Sequence, residues 1–552
     1  MMTGIMSFAA DPKAEKADAP DGADILIFNA DVRTMAKNLP RATAVAIEGG
    51  KIISVGDLGK VQRRAGPKTK RIDAKGKLVL PGFNDSHVHF LDGGFGISNI
   101  KLRDAATPEE FARRIGEYAK TLAPGKWITG GEWDHQKWPG TPLPTKQMID
   151  AVTPNNPVFV SRTDGHMGLG NSLALKLAGI TKDTTNVHGG FVVRDEKGEP
   201  TGILKDASMD PIWKAMPQPD FADRLAAAKA ATEYAVKLGV TSVQDMSAND
   251  DIGLYQALAD RGELKTRIYG MNPIRNWEAL AKKNIRANFG TPMVRMGGLK
   301  GFADGSLGSS TAYMFEPFSD DPKNTGLLGD QMFPEGIMLQ RAIGADSAGL
   351  QIMIHAIGDR ANCEILDIYK KVVEKNGTHD RRFRIEHAQH LRPSDIKRFG
   401  TQHVVASMQP YHAIDDGRWC DGRIGTERSK GTYAFRSLLD SEAILAFGTD
   451  WTVAPLDPML TIYAAVTRRT LDDKHPNGWV PEQKISVEEA VRAYTLGSAF
   501  AEFQDTVKGT VSFGKYADLV MLDKNIFEID PNDIPTAKVV MTILDGKIVY
   551  QQ

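Results

Sequence analysis

Eight short apolar runs, rich in β-forming residues, constrain this 552-residue chain more than any other feature. One ends in His87-Val-His89; the others span 241–245, 266–270, 298–302, 350–355, 383–387, 403–408 and 444–450. Amphipathic stretches at 223–238, 364–375 and 487–494 lie between or after them. Apolar strands alternating with helices make a parallel α/β architecture. Eight such units predict a (β/α)8 TIM barrel, whose active site lies at the C-terminal strand ends.

The flanks have a different texture. Short β-rich runs at 24–28, 44–47 and 51–55 surround the turn Gly49-Gly50, and similar runs at 517–522, 539–544 and 547–550 surround Asp545-Gly546. Segments 23–80 and 505–552 are therefore expected to build one β-sandwich domain from both termini. The barrel is expected over 81–96 and 221–504. The gap between the first two barrel strands exceeds one crossover helix, so 97–220 is expected to be an insertion over the barrel mouth that shapes the substrate pocket. It carries a helical stretch near 107–123, strands near 127–131 and 158–161, and a hairpin around 195–198. Residues 1–22 are expected to be a disordered leader. The small-residue stretch at 7–12 resembles the scar left by a removed signal peptide, so a cytoplasmic protein is expected, or an exported one if such a peptide was removed.

Polar residues fall where the barrel needs them. On a strand, residues i and i+2 share a face, so His87 and His89 project together from one strand end. His355 ends the fifth strand, His387 the sixth and Asp450 the eighth, while Lys300 sits inside the apolar fourth. Each alone has an ordinary explanation, as a packed histidine, a helix cap or a snorkelling lysine. Together they describe a metal site, because neutral imidazole and carboxylate are common ligands for transition metals. A lysine buried among cations is disfavoured as an ammonium; as an amine it can become a carbamate, an anion able to bridge two ions.

Composition narrows the partners. The formal charge is −1, with 68 basic and 69 acidic residues, and no basic cluster stands out, so neither nucleic acid nor an anionic membrane is expected as a partner. The two cysteines, Cys363 and Cys420, exclude a disulfide framework or a Cys-type zinc site. A homodimer is compatible with the chain.

The run Pro81-Gly-Phe-Asn-Asp-Ser-His-Val-His89 resembles the first-strand motif of the amidohydrolase superfamily. The stretches at 299–308, 407–412 and 448–451, with Gly165-His166, Asn171-Ser172 and 200–204, are similar to its YtcJ-like (amidohydrolase 3) branch. The resemblance implies a binuclear centre of two divalent ions, usually zinc. His87, His89 and Asp450 would hold one ion, His355 and His387 the other, and a carbamylated Lys300 would bridge them. A metal-bridging hydroxide would then hydrolyse a non-peptide carbon–nitrogen bond of a small amide-type substrate, with Asp450 as proton shuttle. A mononuclear zinc deaminase, or an esterase or lactonase on the same barrel, is the alternative; a non-catalytic scaffold is a remote one. Trp133, His166, Asp304, His412 and Trp451 are the candidate substrate contacts.

Overall fold

The computed structural model describes residues 22–248 and 251–552; apart from Gly22, the expected leader lies outside them. The eight runs become β1 (Phe83–Val88), β2 (Val240–Asp245), β3 (Arg267–Pro273), β4 (Val294–Phe302), β5 (Gln351–Ala356), β6 (Arg384–His387), β7 (Val405–Met408) and β8 (Leu445–Phe447). Each pairs in parallel with the next. The ring closes above β8. There Asp450 N donates to His87 O and His89 N donates to Trp451 O, both at 2.7 Å. The result is a TIM-barrel-like α/β fold.

Helices pack on the outside of the ring. Phe221–Lys237 starts at Asp220, whose side chain accepts from Asp223 N, and it turns Ala227, Ala228, Ala231 and Ala235 inward. Small side chains on that face let the helix approach closely: Ala227 O lies 2.1 Å from where a Cβ on Gly94 would stand. Asp359–Asn376 packs Ile365, Leu366, Tyr369 and Val372 in the same way.

The flanking segments form two sheets. One joins Lys51–Gly56, Ala44–Glu48, Ile25–Phe28 and Lys70–Asp73; the other joins Lys547–Gln551, Val539–Leu544, Leu519–Leu522, Leu78–Pro81, Asp31–Arg33 and Arg41–Ala42. Both contribute to one apolar cluster, with Ile25, Val45 and Ile52 from the first sheet and Val79, Leu519, Met541 and Ile543 from the second. Leu78–Pro81 and β1 are nearly continuous in sequence yet belong to different sheets, and Pro81-Gly82 is where the chain changes sheet.

The 97–220 region has a five-stranded sheet in the order Gly190–Arg194, Pro200–Asp206, Met167–Gly170, Val158–Arg162 and Ile128–Trp133. It encloses its own core, which includes Phe111, Trp133, Trp138, Val160 and Leu169. Among the described residues, no helix is long and apolar enough to cross a membrane.

Candidate metal centre

Strand register decides which side chains meet at the barrel mouth. Phe302, His355, Glu386 and Ser407 are level on adjacent strands, and Lys300, Met353 and Arg384 form the row below. Residues level with one another in a sheet share a face, so His355 and Glu386 project together, with Lys300 one layer deeper. Alternation alone would turn His387 away from its neighbour Glu386. Instead the strand ends with His387 at φ 74° and Ala388 at φ 44°. The His387 ring then lies 4.5 Å from that of His355 and 4.9 Å from that of His87, centroid to centroid. Asp450 is likewise left-handed, at φ 57°. Non-glycine residues in this region cost about 1–3 kcal/mol each and persist where their surroundings force them, often at functional sites.

All six expected ligands converge. His87 Nε2 is 3.3 Å from Lys300 Nζ and 3.5 Å from Asp450 Oδ1, and His89 Nε2 is 3.3 Å from the same oxygen. His87, His387 and Asp450 offer donor atoms that all lie within 4.8 Å of one another. This trio takes members from both ligand sets implied by the resemblance, so the two sets face one compact space. His387 Nδ1 and Asp450 Oδ1 are buried with no hydrogen-bond partner. Leaving such atoms unsatisfied costs about 1–3 kcal/mol each, and a cation between them would remove that cost. The donor set fits a metal.

The electrostatics agree. Burial pushes Lys300 down to about 8, against the opposing pull of Glu386 and Asp450. Burial and the neighbouring imidazoles hold His355 and His387 well below the usual histidine range, as neutral ligands must be. Burial would raise Asp450, but His87, His89 and His387 together keep its carboxyl well below the ordinary range.

The residues beneath the ligands include one that the motif reading missed. His87 Nδ1 donates to Glu386 Oε2 at 2.6 Å, and Arg384 Nε donates to Glu386 Oε1 at 2.7 Å. Burial would raise Glu386, but Arg384 and His87 lower it to about 2. A carboxylate on the far nitrogen of a metal-ligating histidine fixes its tautomer and its aim. The available signal was a charged residue at i−1 to His387 inside an apolar strand. His355 Nε2 is similarly held by Gly305 O at 3.0 Å.

The five expected substrate contacts divide. His166 comes to the site: its ring is 5.0 Å from His355, and its Nδ1 donates to Asp206 Oδ1 at 2.6 Å. Burial would lower its pKa, but Asp206, Asp164 and Asp304 raise it to about 8. His412 also comes, its ring nearly parallel to His387 at 6.5 Å and its Nε2 buried without a partner. Asp304 is adjacent, 3.5 Å from His355 Nε2. However, its oxygens accept from the amides of Tyr313, Ile357 and Gly358, so it ties loops together rather than meeting a substrate. Trp133 is misplaced by the sequence reading. It is fully buried in the insertion core, and its Nε1 donates to Val160 O at 2.8 Å. Trp451 is also packing, set between Phe90 and Tyr234.

Comparison with known proteins gives the lineage. Residues 70–550 match the family model described as Amidohydrolase family. Protein LONG AFTER FAR-RED 3 of Arabidopsis thaliana is 38% identical over 96% of this chain and 92% of its own length. Putative amidohydrolase YtcJ of Bacillus subtilis is 30% identical, over 94% and 98%. N-substituted formamide deformylase of Arthrobacter pascens is 26% identical, over 96% and 98%. The crystal structure of an uncharacterized metal-dependent hydrolase from Pyrococcus horikoshii superposes with a TM-score of 0.73 at 29% identity, covering 92% of this chain and 99% of that one. With the motifs, the barrel and the histidine–aspartate cluster all in place, this chain belongs to the amidohydrolase family, in its YtcJ-like branch.

Proposed function

We propose that this protein is a metal-dependent hydrolase that cleaves a non-peptide carbon–nitrogen bond of a small amide-type substrate. One observation carries the reading: His87, His387 and Asp450 converge with two buried donor atoms left unpartnered. A relative whose name is a formamide deformylase supports the bond type. In this reading His87, His89 and Asp450 would hold one divalent ion, most simply zinc, His355 and His387 would hold a second, and Lys300, as a carbamate, would supply a further anionic ligand. Such ions, when bound, acidify water and polarise a carbonyl.

The chain's own groups perform the rest. The Asp450 carboxylate takes the proton released by the attacking water and passes it to the leaving nitrogen. Glu386 keeps His87 Nε2 aimed at the centre. His412 Nε2, buried without a partner on a ring 6.5 Å from that of His387, hydrogen-bonds the substrate oxygen as charge builds on it. His166, steadied by Asp206, contacts the substrate from the insertion side.

The test is metal analysis joined to a hydrolysis screen over N-acyl amino acids, N-substituted formamides, cyclic ureides and aryl esters. Two divalent ions per chain, with amide turnover lost on chelation, are expected. Metal-free protein without turnover after metal is added back would sink the reading. The tight donor trio, the one such group among the described residues, supports one rival, a mononuclear deaminase, which one ion per chain and an unmodified Lys300 would favour.

A further inference from the structure

The first and last barrel strands meet at the metal centre, and their seam is held by a residue that the chemistry above does not use. Asp85 lies on β1, two residues before His87, and is completely buried. Its oxygens accept from Thr449 N at 3.0 and 3.2 Å and from Thr449 Oγ1 at 2.7 Å. They also accept from His87 N at 3.1 Å and Tyr494 Oη at 2.7 Å. One carboxylate thus gathers the amide of a metal ligand on β1, the residue before the ligand Asp450 after β8, and a tyrosine from a third segment.

Three independent features show that this junction is built for close approach. A Cβ on Gly448 would fall 2.6 Å from His87 N and 2.7 Å from Asp85 Oδ1, so only glycine lets β8 come this near. Asp450 leaves the seam at φ 57°, and Thr449 Oγ1 accepts from Trp451 N at 3.2 Å across that turn. Tyr494 lies in a π-helical turn, Ala493–Gly497, anchored to β8 where Ser498 Oγ donates to Phe447 O at 3.1 Å. A π-turn adds a residue to a helix and re-aims its side chains, a distortion frequently found at functional sites.

We infer that Asp85, braced by Tyr494, is a positioning residue that locks the His-x-His strand and the aspartate turn into one metal-binding frame. The carboxylate suits the place because the amides of His87 and Thr449 can only donate. Asparagine would set its N–H₂ either against those amides or against Thr449 Oγ1 and Tyr494 Oη, which would then have to turn from donors into acceptors. The inference rests on the metal reading above, and its test separates the two.

Full-length protein is loaded with cobalt(II), and its visible spectrum and its rate of cobalt loss to EDTA are recorded. Tyr494→Phe and Asp85→Asn are compared with the wild type. The control is Tyr269→Phe, which removes a buried hydroxyl that donates to Gln351 Oε1 at 3.1 Å. Tyr494→Phe is expected to shift the spectrum and to lose cobalt about tenfold faster, the scale on which residues supporting metal ligands act. Asp85→Asn is expected to lose it faster still, while the control matches the wild type. If Asp85→Asn does not fold, Tyr494→Phe decides. A Tyr494→Phe protein with wild-type spectrum and loss rate overturns the clamp alone. A wild type that takes up no cobalt overturns the clamp and the metal reading together.

Discussion

The barrel and the insertion both bring side chains to the same centre, but by different means. The barrel's donors stand on strands whose rows are fixed by a continuous parallel ladder, so His355, Glu386 and Lys300 have positions that follow from pairing register. The insertion's donor stands on a turn. His166 reaches the centre because Asp164, just before it, accepts from Ser306 Oγ at 2.5 Å and Ser309 Oγ at 2.9 Å in the loop after β4. Arg162 pairs with the same Asp164 at 2.7 Å. Ladders make a position predictable; docking makes it conditional on contacts between segments distant in sequence.

That contrast can be broken in four ways. The largest effect belongs to the barrel: Asp450→Asn should cut turnover about a thousandfold with metal content nearly intact. Steady-state rates beside metal analysis check it, and unchanged turnover would remove Asp450 from the chemistry. Next, Trp133→Ala should cost about 3 kcal/mol in the insertion while the barrel retains its metal. Calorimetry with metal analysis would show this, and metal loss equal to that of a His87→Ala variant would mean the two parts are not separable. Third, Glu386→Gln should weaken metal binding about 10- to 100-fold, read by competition with a chelator. Affinity within twofold of wild type would leave Glu386 a merely structural partner of Arg384.

The smallest effect is acid loosening of the insertion. Burial would raise Asp164, but Arg162, His166 and the two serines lower it to about 2. The ordinary carboxylate value is about 3.9. A depressed folded value means the stabilisation is fully present above the ordinary value and is lost as pH falls through about 2. Amide exchange over 158–206 should therefore rise as acid is added across that window. The same step should be missing in Asp164→Asn, and a step of equal size there would assign it elsewhere.

Much of the fold was legible before any coordinates, because apolar runs, turn pairs and strand-end histidines are local signals. The barrel strands and the Gly49-Gly50 and Asp545-Gly546 turns follow from them. The tryptophans show the limit. Trp133 and Trp451 carry the same composition signal whether they line a pocket or fill a core, and both fill cores. Glu386 and Asp85 were hidden for a related reason. A buried carboxylate is recognised by its partners, and those come from residues far away in sequence: Glu386 meets His87, and Asp85 meets Thr449 and Tyr494.

By itself the sequence determined the element types, the family and the identity of the candidate ligands, since periodicity and motif spacing are properties of neighbouring residues. Tertiary structure alone decided that His387 turns back beside His355, that Glu386 aims His87, that Asp85 closes the seam, and that His166 reaches the centre while Trp133 does not. Each of these depends on strand register, on a left-handed residue at a strand end, or on docking between distant segments, and those are set by packing.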